Sequence, residues 1–255
     1  MFSFYRDPDA AGVGVAFTSA ALDLSDAAPQ PARALAFARL AAALGVPVAI
    51  VRQVHGHRVL DVDAVSPQVR PVDGLLDLTE TDADALLTRS RGLALAVRVA
   101  DCVPVLFADG PAGVIGAAHA GRAGLSNGVL GETVAALRSR GAAGLRAWIG
   151  PHVCAACYEV PIALADAFAS ATGVAPAVTR WGTPGIDLGA AARLQLGRLG
   201  VPFSSHEACT MHDEGLHSHR RDAAGAGRLA GVVWLTPHAF LTPPGAPRGE
   251  AVAAG

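Results

Sequence analysis

His55, Cys102 and His119 each stand where an apolar run gives way to glycine, proline or aspartate. The segments are Gln53-Val54-His55-Gly56, Ala100-Asp101-Cys102-Val103-Pro104 and Ala118-His119-Ala120-Gly121. Strand ends are rigid supports with accessible tips, so ligands mounted there hold a fixed geometry. Two imidazoles and one thiolate suit zinc and leave a fourth position for water or substrate. An open site of that kind lowers the pKa of bound water towards ~7. The same residues can be read as a Cys-His pair, with Cys102 the nucleophile and His119 its base. A small buried cysteine and two ordinary imidazoles make a third reading. The gaps along the chain match no short metal motif, so spacing leaves all three open.

Other polar constellations surround this one. Cys154 and Cys157 form a CxxC beside Tyr158, and no second CxxC completes a structural zinc site. A redox role is open to such a pair, but it is read here as two packed cysteines. In His217-Ser218-His219-Arg220-Arg221-Asp222, two guanidinium groups suit a dianion such as phosphate, or simply form a solvated loop. Gly121-Arg122-Ala123-Gly124-Leu125 could present backbone N–H groups to an anion at a helix start. Gly12-Val13-Gly14 lacks the third glycine of a dinucleotide fingerprint.

The elements that must position these residues follow from periodicity. The pattern predicts strands at 12–18, 46–54, 93–99, 105–108, 114–118, 146–149 and 231–235. Helices are expected at 32–44, closed by Gly45, at 127–140 capped by Asn127, at 161–172, and at 189–199. Strands dominate the middle while helices intervene irregularly, which favours an α+β fold over a regular doubly wound sheet. Residues 1–235 read as a single catalytic domain, and residues 236–255, rich in Pro, Gly and Ala, as a loose tail.

The chain of 255 residues is 51% hydrophobic and 16% charged, enough for a large core. A formal net charge of −2 offers no electrostatic grip on nucleic acid or an anionic membrane. All 20 basic residues are arginine, so mechanisms that rely on a lysine amine are excluded. No apolar run reaches the ~18 residues of a membrane span, and the N-terminus lacks a signal-peptide pattern. The expectation is a cytoplasmic protein whose four cysteines stay reduced.

Taken together, QVHG at 53–56, ADALLT at 83–88, ADCVPVLF at 100–107 and AAHAG at 117–121 carry a resemblance. IGP and CYEV between 149 and 160, CT at 209–210 and SHRRD at 218–222 continue it in order. The chain resembles the laccase-domain, polyphenol-oxidase-like (YfiH-type) proteins, better described as purine nucleoside phosphorylases of broad specificity. The resemblance implies a compact α+β domain with mixed β-sheets flanked by helices. It also implies that His55, Cys102 and His119 are zinc ligands and the catalytic centre. The implied activities are phosphorolysis of adenosine, inosine, guanosine and methylthioadenosine, with inorganic phosphate as co-substrate, and deamination of adenosine. On that reading Asp101 or a nearby imidazole moves protons, and Arg52, Arg98, Arg220 and Arg221 are candidate phosphate holders. The chain departs from the family pattern at Arg122, where tryptophan is usual, at Ala36-Phe37 and at His217. The older label of copper-dependent laccase asks for a blue-copper site and a histidine-rich cluster. With nine histidines and His-x-His pairs only at 55/57 and 217/219, copper is expected only as an alternative occupant of the same ligands.

Overall fold

The central strands are mostly apolar and buried at every position rather than alternating, as strands covered on both faces must be. The computed structural model, which describes residues 1–65, 70–206 and 208–237, shows what covers them. One six-stranded sheet runs in the order β1 (Phe2–Arg6), β2 (Val13–Thr18), β14 (Leu229–Leu235), β7 (Leu93–Val99), β3 (Val48–Arg52) and β5 (Leu75–Asp82). The other runs β13 (Phe203–Ser205), β10 (Arg146–Ile149), β8 (Val103–Asp109), β9 (Val114–Ala120), β6 (Ala85–Thr88) and β4 (Val59–Asp61). Both are mixed: β3 is parallel to β5 and β7, β4 to β6, and β10 to β13, and the other pairings are antiparallel.

Three apolar layers hold the stack. Phe17, Leu95 and Val233 of the first sheet meet Leu106, Ile115 and Trp148 of the second. On the far side of the first sheet, Phe37 and Leu40 of α1 (Gln30–Leu44) pack with Ile50 and Trp234. Beneath the second sheet lie α4 (Val129–Ser139), α5 (Ile162–Thr172) and α6 (Leu188–Arg198), which bury Leu137, Phe168 and Leu196 against Val105 and Phe107. The short helices α2 (Val62–Val65), α3 (Arg122–Ser126) and α7 (His219–Asp222), a 3-10 turn at Ala223–Gly225 and the small ribbon β11 (Ala177–Val178) with β12 (Pro184–Gly185) complete the elements of the described residues. The architecture is the expected α+β fold with mixed sheets flanked by helices.

Most element ends fall within two residues of expectation, and Gly45 closes α1 at φ 71° as a left-handed cap. The region after His119 differs. Asn127 ends α3 rather than starting the next helix, because Gly128, at φ 84°, breaks the chain between α3 and α4. The strand expected from residue 105 begins at Val103 and runs through Pro104, whose carbonyl accepts from the Gly150 N–H at 3.0 Å. Gly14, left over from the discarded fingerprint, lies under an indole: an added Cβ would sit 2.2 Å from the Trp234 ring. The expected tail, 236–255, lies outside the described residues beyond position 237; at its start the Thr236 N–H donates to the Gly12 carbonyl at 2.9 Å.

Candidate metal centre and active site

The tips of three central strands converge. β3 delivers Gln53 and His55, the β7–β8 connection delivers Asp101 and Cys102, and β9 carries His119 near its end. In the β8–β9 hairpin Val103 pairs with Ala120, which sets Cys102 beside Gly121. A Cβ on Gly121 would lie 2.9 Å from the Cys102 Sγ and 3.1 Å from the His55 ring, so glycine is what lets the three strands close. One ligand atom each of His55, Cys102 and His119 lies within 4.8 Å of the others. The two imidazoles meet edge to face, with centroids 4.8 Å apart.

A fully buried aspartate organises both histidines. Asp84, immediately before β6, sits 2.8 Å from the His119 Nδ1 and accepts from the backbone N–H groups of Val54, His55 and Gly56. The first contact fixes the His119 tautomer with Nδ1–H as donor and leaves Nε2 its lone pair. The others hold His55 at φ 60°, a left-handed conformation uncommon outside glycine. Burial alone would raise the Asp84 carboxyl, but His119 and these N–H groups hold it below the ordinary carboxylate value. Gln53 replaces ladder bonds where β3 parts from β7: its amide donates to the Arg98 carbonyl and accepts from the Arg98 N–H, each at 2.8 Å.

Charge inside the cluster is coupled. Burial opposes ionisation of Cys102, yet His119 and His55 bring its thiol down to about 6. Burial likewise opposes the imidazolium, but Cys102 and Asp84 push His119 up to about 9. With no metal bound this is a thiolate beside the His119 imidazolium, a pair that can attack an electrophile or, once a metal displaces the Nε2 proton, ligate it.

A cavity of about 700 Å³ opens over the cluster. Arg98, Arg122, Arg220 and Arg228 line it together with Tyr158 and Gln53. The Arg220 guanidinium stacks on Tyr158 at 4.4 Å and donates to the Glu159 carbonyl at 2.8 Å. The Arg122 guanidinium makes no hydrogen bond or ion pair with another described side chain, and its charge acts on Tyr158. Arg98 is buried and already donates to Asp26 and to the carbonyls of Leu24 and Val51.

Asp101 borders the cavity, but its carboxylate accepts from the Thr210 and Ser218 hydroxyls and the Arg220 N–H at 2.6–2.7 Å. That makes it a clamp on the loop bearing Arg220, and the residue adopts φ 92° to do so. Arg52 and Arg221 are not among the cavity lining. Arg52 points outwards at 58% side-chain exposure and pairs with Asp82. Arg221 donates to the carbonyls of Thr210, Asp213 and Leu216 and pairs with Asp222. Asp84 and Tyr158 escaped assignment in sequence. The available signal for Asp84 was an acidic residue opening the apolar run Ala85 to Leu87, which cannot be buried without donors. Cys154 and Cys157, read as packed side chains, face Cys209 and His212.

The chain is similar to several known proteins. A protein named purine nucleoside phosphorylase in Mycobacterium tuberculosis (strain ATCC 25618 / H37Rv) is 45% identical over 204 residues, covering 78% of this chain and 77% of that protein. One of the same name in Streptomyces coelicolor is 46% identical over 201 residues, covering 76% and 79%. A crystal structure of a Neisseria meningitidis protein superposes with a TM-score of 0.75 at 30% identity, covering 92% of this chain and 99% of that one. Residues 15–236 match the model of the family described as multi-copper polyphenol oxidoreductase laccase, and the chain belongs to that family.

Proposed function

We propose that this chain is a zinc-dependent purine nucleoside phosphorylase of broad specificity that also deaminates adenosine. The observation that carries the reading is one thiolate and two imidazoles gathered within 4.8 Å at the floor of an arginine-lined cavity. The donor set fits zinc: the Cys102 thiol ionises near neutrality, and Asp84 leaves one nitrogen of His119 available. His55, Cys102 and His119 would hold the ion, which when bound supplies a Lewis acid and lowers the pKa of water. Copper fits the same donors as an alternative occupant.

The volume suits a nucleoside with phosphate. In phosphorolysis a phosphate oxygen forms the bond to C1′ while the bond from C1′ to the purine nitrogen breaks. Arg220 and Arg122 are the guanidinium groups best disposed to hold the dianion, with Arg98 behind them as a fixed positive charge. Tyr158, stacked under Arg220, offers a planar face for the base or sugar. Asp101 acts through position, by keeping Arg220 at the rim. The names of the relatives in M. tuberculosis and S. coelicolor support an enzyme acting on purine nucleosides and phosphate. A reducing cytoplasm suits a site built on a thiolate. No helix among the described residues is long and apolar enough to cross a membrane.

The test is product identification from adenosine with and without phosphate, alongside metal analysis. Adenine and ribose 1-phosphate mark phosphorolysis, and inosine marks deamination. Cys102→Ala is expected to lose zinc from this site and both activities; a variant with full turnover would remove the metal from the mechanism. One observation supports a second reading: Asp84, His119 and Cys102 also form the relay of a Cys-His nucleophile. Covalent trapping of Cys102 in metal-free, active protein would establish that hydrolase instead. Copper-dependent phenol oxidation would require activity that tracks copper after complete removal and defined reloading.

A further inference from the structure

Two tight turns outside the cavity bring a second set of donors together. In the first, the Cys157 and Tyr158 N–H groups donate to the Cys154 carbonyl at 2.9 and 3.1 Å. In the second, the His212 and Asp213 N–H groups donate to the Cys209 carbonyl, both at 3.0 Å. The first turn is Cys-x-x-Cys and the second, Cys209-Thr210-Met211-His212, is Cys-x-x-His. His152 ties them side by side: its N–H donates to the Ala208 carbonyl and its carbonyl accepts from the Thr210 N–H, both at 3.1 Å. One ligand atom each of Cys154, Cys157, Cys209 and His212 lies within 4.8 Å of the other three. The Cys157 Sγ is 3.0 Å from the His212 Nε2, and Cys157 is 2% exposed. None of the four lines the cavity.

Three sulfurs and an imidazole form a complete tetrahedral set, with no position left for substrate. The Cys154 N–H donates to the Cys209 Sγ at 3.4 Å, the kind of bond a metal-bound thiolate accepts. Three thiolates around a dication leave one negative charge. Arg180, whose Nη1 lies 2.8 Å from the His212 Nε2, can balance it by turning to a sulfur once that nitrogen is engaged.

We propose that Cys154, Cys157, Cys209 and His212 bind a structural zinc ion, separate from the cavity cluster, that staples the two turns flanking the substrate wall. Tyr158 directly follows Cys157, and the Cys209 turn leads to Ser218 and Arg220, which stacks back on Tyr158. The ion thus fixes the base of the Tyr158–Arg220 pair without touching substrate. The assignment does not depend on what the cavity cluster binds or catalyses.

Zinc is counted in protein expressed with zinc and purified without chelator. One ion per chain is expected in Cys102→Ala, whatever the cavity cluster of the wild type holds, and it is lost in Cys102→Ala combined with Cys209→Ser. Because the double variant risks misfolding, Cys102→Ala is also reloaded with cobalt(II). Intense thiolate-to-cobalt charge transfer with tetrahedral visible bands then supports the site with all four donors intact. A Cys102→Ala protein that retains no zinc and gives no thiolate-rich cobalt spectrum overturns the proposal. A disulfide among the three cysteines in freshly isolated, unreduced protein overturns it too.

Discussion

Asp84 serves two candidate ligands through one carboxylate: it faces the His119 Nδ1 while it receives three N–H groups from the His55 segment. Asparagine at this position would aim an NH2 at one of its donors. Asp84→Asn is therefore expected to weaken metal binding about 10–100-fold, measured by competition with a chromogenic chelator; unchanged affinity would deny Asp84 an orienting role. Gly121 isolates a steric effect, since its φ of −78° is open to any residue. Its substitution forces a methyl against the Cys102 sulfur and the His55 ring. Gly121→Ala should therefore lose metal affinity while far-ultraviolet circular dichroism stays unchanged, and a variant that binds metal normally would mean the strand tips are not tightly closed.

The elements bearing the site are joined by acidic clamps at their ends. Asp101 ties the β7–β8 connection to Ser218 and Arg220, so Asp101→Asn should release Arg220 more than it disturbs Cys102. The expected outcome is a KM for phosphate raised about ten-fold, equivalent to ~1.4 kcal/mol, with kcat less affected. Equal losses in kcat and kcat/KM would instead assign Asp101 to the chemical step. Asp109, at the end of β8, accepts from the N–H groups of Ala112, Ala143 and Gly144. Burial would raise its carboxyl, but those amides hold it below the ordinary value. A group whose folded pKa is depressed contributes stability above its unfolded pKa of ~3.9 and loses it as pH falls through the folded value. Asp109→Asn should cost about 1–3 kcal/mol at neutral pH, with the gap to wild type closing on acidification below pH ~4. Urea melts at neutral and acid pH decide this; a gap independent of pH would leave the charge without a part.

On the scale of the molecule, two sheets share the layer made by Phe17, Leu95, Leu106 and Ile115. Leu106→Ala should cost about 2–5 kcal/mol and lower Tm, yet leave zinc stoichiometry intact, since the strand tips lie outside that layer. Metal lost in proportion to stability would show that the site is not rigidly supported. The mostly apolar run Leu93 to Val99 already marked a strand, and Gly45 marked where α1 stops. The candidate ligands were legible too, because His55, Cys102 and His119 interrupt such runs where a strand must end. Side-chain type and local period are properties of short segments, so the sequence by itself determined the long central strands, the four longer helices and the candidate donors His55, Cys102 and His119, but not short strands such as β1, β4, β6 and β13. Which donors share an ion is a property of long-range pairing. Only the tertiary structure turned Arg52 and Arg221 away, assigned Asp84 to the histidines and set Cys209 and His212 opposite the CxxC. Register between strands and turns distant in sequence decides those contacts, and no local pattern records it.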